Sequence, residues 1–180
     1  MKSDFDFISY LLSNFFKQAG IQHRLNNIDL SNLTGWETWF QIEFSYYLEQ
    51  KCIEVDECYR EELYSMDNRK TNQKKMYIDL IIRRKNHKHK SYIALELKQN
   101  NSVQTCITNM VKDISKVRSM KKSQDNIRSF WNIGIHKKLT TYPYQHKKEI
   151  INLVQNKFNA SEGFIESRFI PNTNFAYTIF

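Results

Sequence analysis

The stretch Tyr92-Ile93-Ala94-Leu95-Glu96-Leu97-Lys98 decides how the rest of the chain is read. It is a short apolar run ending in charge, and its length and residue types fit a strand. Side chains alternate along a strand, so Tyr92, Ala94, Glu96 and Lys98 share one face while Ile93, Leu95 and Leu97 fill the other. A carboxylate and an ammonium two residues apart on a strand that otherwise reads as buried are costly unless they pair or serve a site.

Upstream, the segment from Met76 to Arg83 (Met-Tyr-Ile-Asp-Leu-Ile-Ile-Arg) reads as a second strand, with Asp79 in its interior on the face of Tyr77 and Ile81. The strongly basic run from Arg84 to Lys90 closes a hairpin between the two strands. A register then exists that sets Asp79 beside Glu96 or Lys98. Two carboxylates a few ångströms apart repel, and one takes up a proton unless a cation intervenes. A hard divalent ion resolves this, because Mg²⁺ accepts one or two carboxylates and keeps waters for a substrate phosphate. Lys98 beside it could orient a water or balance charge on a pentacovalent phosphate.

The remaining segments place this hairpin in an α/β domain spanning 1–180, a central mixed β-sheet flanked by helices. Ser3 is expected to cap a first helix carrying Phe5, Ile8, Leu12, Phe15 and Ala19 at helical spacing, with Gly20 as its stop. Residues 21–33 read as a connection. Thr34-Gly35-Trp36-Glu37 has capping-box form and opens a second helix, on which Trp36, Trp39, Phe40, Glu43 and Tyr47 fall along one stripe. The box explains Glu37 as a cap, whereas Glu43 is a carboxylate on an aromatic face. Residues 53–64 suggest a mixed, acidic first strand. Asn101 or Ser102 caps a helix with Val103, Ile107, Met110, Val111, Ile114 and Val117 inward and Lys112, Lys116, Lys121 and Lys122 outward. Phe130–His136 reads as a strand, with His136 an ordinary half-buried histidine. Pro143 opens a helix through Phe158, and a hairpin over 164–180 closes the chain.

Asp79, then Glu96-Leu97-Lys98 on the next strand, with an acid on the preceding helix, resembles the PD-(D/E)XK nucleases of restriction-endonuclease-like fold. The element order over about 34–136, helix, three strands, helix, strand, looks like that family's αβββαβ core. An N-terminal helix and a C-terminal helix plus hairpin are then elaborations. The resemblance implies a Mg²⁺-dependent hydrolase of DNA phosphodiester bonds, an endonuclease of restriction, defence or mobile-element biology, with Mn²⁺ as substitute. It implies that Asp79 and Glu96 hold the metal with the Leu97 carbonyl, that Glu43 completes the shell, and that Lys98 positions the water. Ile78 stands where the family pattern has Pro. The alternative is a nuclease-like module that binds nucleic acid or protein without cutting.

The net charge of +8, from 27 basic against 19 acidic residues, suits a polyanionic partner, DNA before RNA. Lys88, Lys90, Gln99, Gln104, Lys112 and Lys116 are the candidate nucleic-acid contacts, while the acids Asp56, Glu57, Glu61 and Glu62 are expected to face away. His87 and His89 read as loop residues contacting a backbone or solvent. A homodimer would suit cutting of two antiparallel strands. Three cysteines without a C-x-x-C make no zinc pattern and suggest free thiols in a reducing cytoplasm. No apolar run reaches the roughly 18 residues of a membrane span, and the first residues lack the layout of a secretory signal.

Overall fold

In the computed structural model, which describes residues 1–88, 91–120 and 126–180, the run around Leu95 lies inside a mixed sheet. Among the described residues the chain forms, in order, α1 (Lys2–Phe16), α2 (Ala19–Leu30), α3 (Glu37–Lys51), β1 (Val55–Ser65), β2 (Lys75–Arg84) and β3 (Ser91–Gln99). There follow α4 (Val103–Val117), β4 (Asn126–Lys137), α5 (Pro143–Lys157), β5 (Glu166–Phe169) and β6 (Phe175–Ile179). The fold is α/β, as expected.

The six strands run in the order β1-β2-β3-β4-β6-β5. β1, β2 and β3 form an antiparallel meander, β3 and β4 are parallel, and β6 pairs antiparallel with both β4 and β5. A parallel neighbour cannot be reached by a tight turn, so α4 carries the chain across the sheet from β3 to β4. Ile93, Leu95 and Leu97 pack with Phe15, Phe40, Phe44 and Leu48 on the α1–α3 side. α4 and α5 cover the other face, where Ile107 and Met110 cluster with Ile150 and Val154. α4 lies close on β4 because Gly134 has no side chain. A Cβ there would overlap Met110 Sδ and sit 2.8 Å from Cys106 Sγ. All three cysteines are free, and among the described residues no helix is long and apolar enough to cross a membrane.

Several local expectations need correction. Residues 19–30 are helix, not connection: Ile21 and Leu25 are buried one turn apart, and Ile28 packs on the same core. Gly20 therefore sits inside α2 and does not stop α1. α1 begins at Lys2 with Met1 at the cap position and no side-chain cap. Ser3 Oγ instead accepts from Arg84 (3.1 Å), and Asp4 takes Arg128 Nη2 (2.7 Å) and Ser129 Oγ (2.9 Å). The capping box does not form: α3 starts at Glu37 with Trp36 at the cap position and no side-chain bond, after Gly35 turns the chain at φ +71°. The sheet-facing side of α3 is set by Phe40, Gln41, Phe44, Ser45 and Leu48, which leaves Glu43 off it. Ser102 does cap α4, accepting from Thr105 N at 3.3 Å, and Pro143 opens α5.

Candidate active site

β2 and β3 pair as Ile82↔Ile93, Ile81↔Ala94 and Leu80↔Leu95. Continued by one residue, that register sets Asp79 opposite Glu96 on the same face of the sheet. The pairing ends at this step. Beyond it the Leu97 N–H donates to Asp79 Oδ2 at 2.7 Å, a side-chain carboxylate taking the place of a ladder carbonyl. Asp79 is thereby fixed where the two strands part.

Glu96 is 5 % exposed, and its Oε1 is buried with no hydrogen-bond partner among the described residues. Its Oε2 lies 3.9 Å from Lys98 Nζ. The ammonium is closer to three other oxygens: the Leu97 carbonyl at 3.0 Å, Asp113 Oδ2 at 3.2 Å and Glu37 Oε1 at 3.4 Å. Glu37 also accepts from the Gln99 N–H through Oε2 at 3.1 Å, which ties the first turn of α3 to the end of β3. Asp113, on α4, is 4 % exposed and accepts from Lys116 Nζ at 2.6 Å. Four strands and helices thus deliver four carboxylates to one ammonium.

Burial pushes the Glu96 carboxyl well above the usual range, and the charge of Asp79 beside it adds to the rise. Burial raises Asp79 too, partly offset by the Leu97 N–H and by Lys98. With both carboxyls raised by burial and set side by side, holding one proton between them is favoured over two bare charges. Burial alone would lower Lys98, but Glu37, Asp113, Asp79 and Glu96 outweigh it and hold the ammonium charged.

Two facing carboxyls, one with an orphaned oxygen, are oxygen donors of the kind a hard cation accepts. Asp79, Glu96 and the Leu97 carbonyl suit Mg²⁺ or Mn²⁺ in kind. Among the described residues no three His, Cys, Asp or Glu side chains are already arranged to hold an ion.

Asp79, Glu96, Leu97 and Lys98 therefore come together, and Glu43 does not. Glu43 pairs with Arg24 of α2, and both line a pocket between α2 and α3. Six residues of helix separate it from Glu37, about 120° of rotation. The helix acid at the site is Glu37, read from the sequence as a cap. Asp113 was also missed. It stands three residues after Met110 on the apolar stripe of α4, and that spacing was the available signal. Asn132 is a third omission: fully buried, paired in register with Glu96, with both amide atoms unpartnered among the described residues.

Of the proposed nucleic-acid contacts, Lys116 is engaged by Asp113. Lys88 and Lys112 are exposed. The Gln99 side chain lies 3.5 Å from Asn101 Oδ1, and Gln104 lines an open cleft of about 620 Å³ between the start of α4 and α5. Lys90, His89, Lys121 and Lys122 lie outside the described residues. His87 bonds Arg128 at 2.8 Å. Within the acidic patch Asp56 and Glu57 pair with Arg83, so Arg83 does not serve Asp79. His136 is fully buried, not half-buried.

Comparison of the chain with models of known families, with curated proteins and with solved structures finds no match.

Proposed function

We propose that the chain is a metal-dependent nuclease that hydrolyses DNA phosphodiester bonds. The observation that carries this reading is the pair of facing carboxyls, Asp79 and Glu96, placed where two strands part, with Lys98 beside them. The resemblance of Asp79 and Glu96-Leu97-Lys98 to the PD-(D/E)XK pattern and the net charge of +8 support it.

Asp79 and Glu96 would hold a divalent cation, with the Leu97 carbonyl as a further oxygen. When bound, such an ion acidifies a water and offsets charge gathering on the phosphate. Burial and the facing Asp79 favour the protonated form of Glu96, which a bound cation would oppose by drawing its carboxylate. Lys98, charged and held among oxygens, orients the attacking water and faces the charge that develops on phosphorus. Glu37 fixes the end of β3 through Gln99 N and restrains the ammonium from the α3 side.

The test incubates the protein with plasmid and with linear DNA, with Mg²⁺, with Mn²⁺ and with chelator. Cleavage that needs a metal and disappears in Glu96→Ala and Lys98→Ala supports the reading. No cleavage with either metal, or cleavage indifferent to both substitutions, overturns it. One observation favours a second reading, a nuclease-like module that binds without cutting: Lys98, with Lys116 behind it, already offsets part of the carboxylate charge. Salt-dependent DNA binding without cleavage, unchanged in Asp79→Asn, would select that reading.

A further inference from the structure

We infer that Asp113 of α4 is a positioning residue for Lys98: it holds the ammonium toward α4, off the Asp79–Glu96 pair, and is itself held by Lys116. The inference rests on the nuclease reading for its consequence in catalysis, but not for its geometry.

α4 is amphipathic, and Asp113 lies on its sheet-facing side between Met110 and Ile114, both buried. A carboxylate there is costly unless it is paired. Asp113 is paired twice, by Lys116 at 2.6 Å and by Lys98 at 3.2 Å. Lys98 is faced by Asp79 from β2, Glu96 from its own strand, Glu37 from α3 and Asp113 from α4. Its ammonium is nearer Asp113 than Glu96, by 3.2 against 3.9 Å. Without Asp113 the ammonium keeps half-exposed Glu37 at 3.4 Å, and the buried carboxyl left for it is Glu96, one of the pair that would hold a cation. The two roles of the site, cation holding and water orientation, are thus separated by a side chain that belongs to neither strand. Asp113 Oδ2 meets Lys98 at ion-pair distance without the direction of a hydrogen bond, so the contact steers the ammonium without taking up an N–H group, two of which already donate to the Leu97 carbonyl and to Glu37.

A merely structural ion pair, fastening α4 to the sheet, would alter stability and nothing else. Positioning predicts more. In Asp113→Asn the single-turnover cleavage rate at saturating Mg²⁺ falls about 10–100-fold, the scale of a misplaced group. DNA affinity stays within about twofold, because Asp113 is buried. Asp113→Glu recovers part of the rate. Independently of cleavage, the Lys98 ammonium ¹⁵N resonance shows slowed solvent exchange in the wild-type protein and measurably faster exchange in Asp113→Asn, where only the Leu97 carbonyl and Glu37 still hold the ammonium.

A wild-type rate in Asp113→Asn, or a loss confined to KM, overturns the inference. So does a Lys98 ammonium that exchanges freely in the wild-type protein, a measurement that needs no variant to fold. If the wild-type protein cleaves no DNA, the nuclease reading fails, and the ammonium resonance alone decides whether Asp113 holds Lys98.

Discussion

Asp79→Asn should make the protein more stable while abolishing cleavage. The amide oxygen of Asn can keep the bond from the Leu97 N–H, now 2.7 Å, so the strand end stays fixed. What disappears is a carboxylate that burial forces upward in pKa and that stands against Glu96. For a carboxyl with a raised folded-state pKa the sign is definite. The folded state binds the proton more tightly than the unfolded chain, so stability falls as pH rises through that range and the ionised group is a net cost at neutral pH. Against this, Lys98 loses one neighbour but retains Asp113 at 3.2 Å and Glu37 at 3.4 Å. Replacing an unfavourable, partly buried charge in this way gains about 1–2 kcal/mol, or about 2–8 °C in Tm for a chain of this size. Thermal unfolding followed by circular dichroism at pH 7.5 measures it, and the advantage should shrink near pH 4. A variant less stable than wild type by 1 kcal/mol or more would refute the reasoning and make Asp79 a structural partner.

Glu37→Gln should lower cleavage at least tenfold, while Glu43→Gln, which only releases Arg24, leaves it intact; equal effects in a plasmid assay would contradict the placement of the two acids. The core should also weaken in mild acid. His136 donates from Nδ1 to the Lys137 carbonyl (2.9 Å) and accepts at Nε2 from Thr178 (2.8 Å), and His146 accepts from the Leu139 N–H (3.2 Å) and donates to Ser167 (3.1 Å). Both rings are neutral with both nitrogens used, and burial pushes both down to about 4 from an ordinary 6.5. Stability is therefore full above pH 6.5 and lost as pH falls toward 4, by ~2 kcal/mol at pH 5 from His136 alone; urea midpoints equal at pH 7 and 5 would contradict this. Gly134→Val should destabilise by about 1–3 kcal/mol by forcing Met110 and Cys106 aside, and an unchanged urea midpoint would show that α4 yields freely.

The strands were legible because charge stands out against them. Asp79, Glu96 and Lys98 interrupt apolar runs of period two, so their face followed from the sequence alone. α3 was legible as a helix but not in its rotation. Trp36, Trp39 and Phe40 lie on one side, yet Ile42 and Tyr46 are exposed, so apolar residues surround the axis and mark no phase. The phase error moved the expected helix acid from Glu37 to Glu43. A plausible local motif compounded it: Thr34 and Glu37 have capping-box spacing, but Gly35 in the left-handed region delays the helix and frees Glu37 for Lys98 and Gln99. α2 was hidden by polar residues between Ile21, Leu25 and Ile28. Asp113 was hidden between Lys112 and Lys116, which read as a solvated face until the contacts of α4 showed Asp113 turned inward.

The most direct test of the central claim is a crystal structure of the wild-type protein soaked in Mn²⁺, read by the anomalous signal of the metal. The account predicts one ion bound directly by Asp79 and Glu96 oxygens, with the Leu97 carbonyl in reach and the Lys98 ammonium withdrawn toward Asp113. A saturating soak that leaves no ion between Asp79 and Glu96, with Lys98 still 3.0 Å from the Leu97 carbonyl, would contradict it.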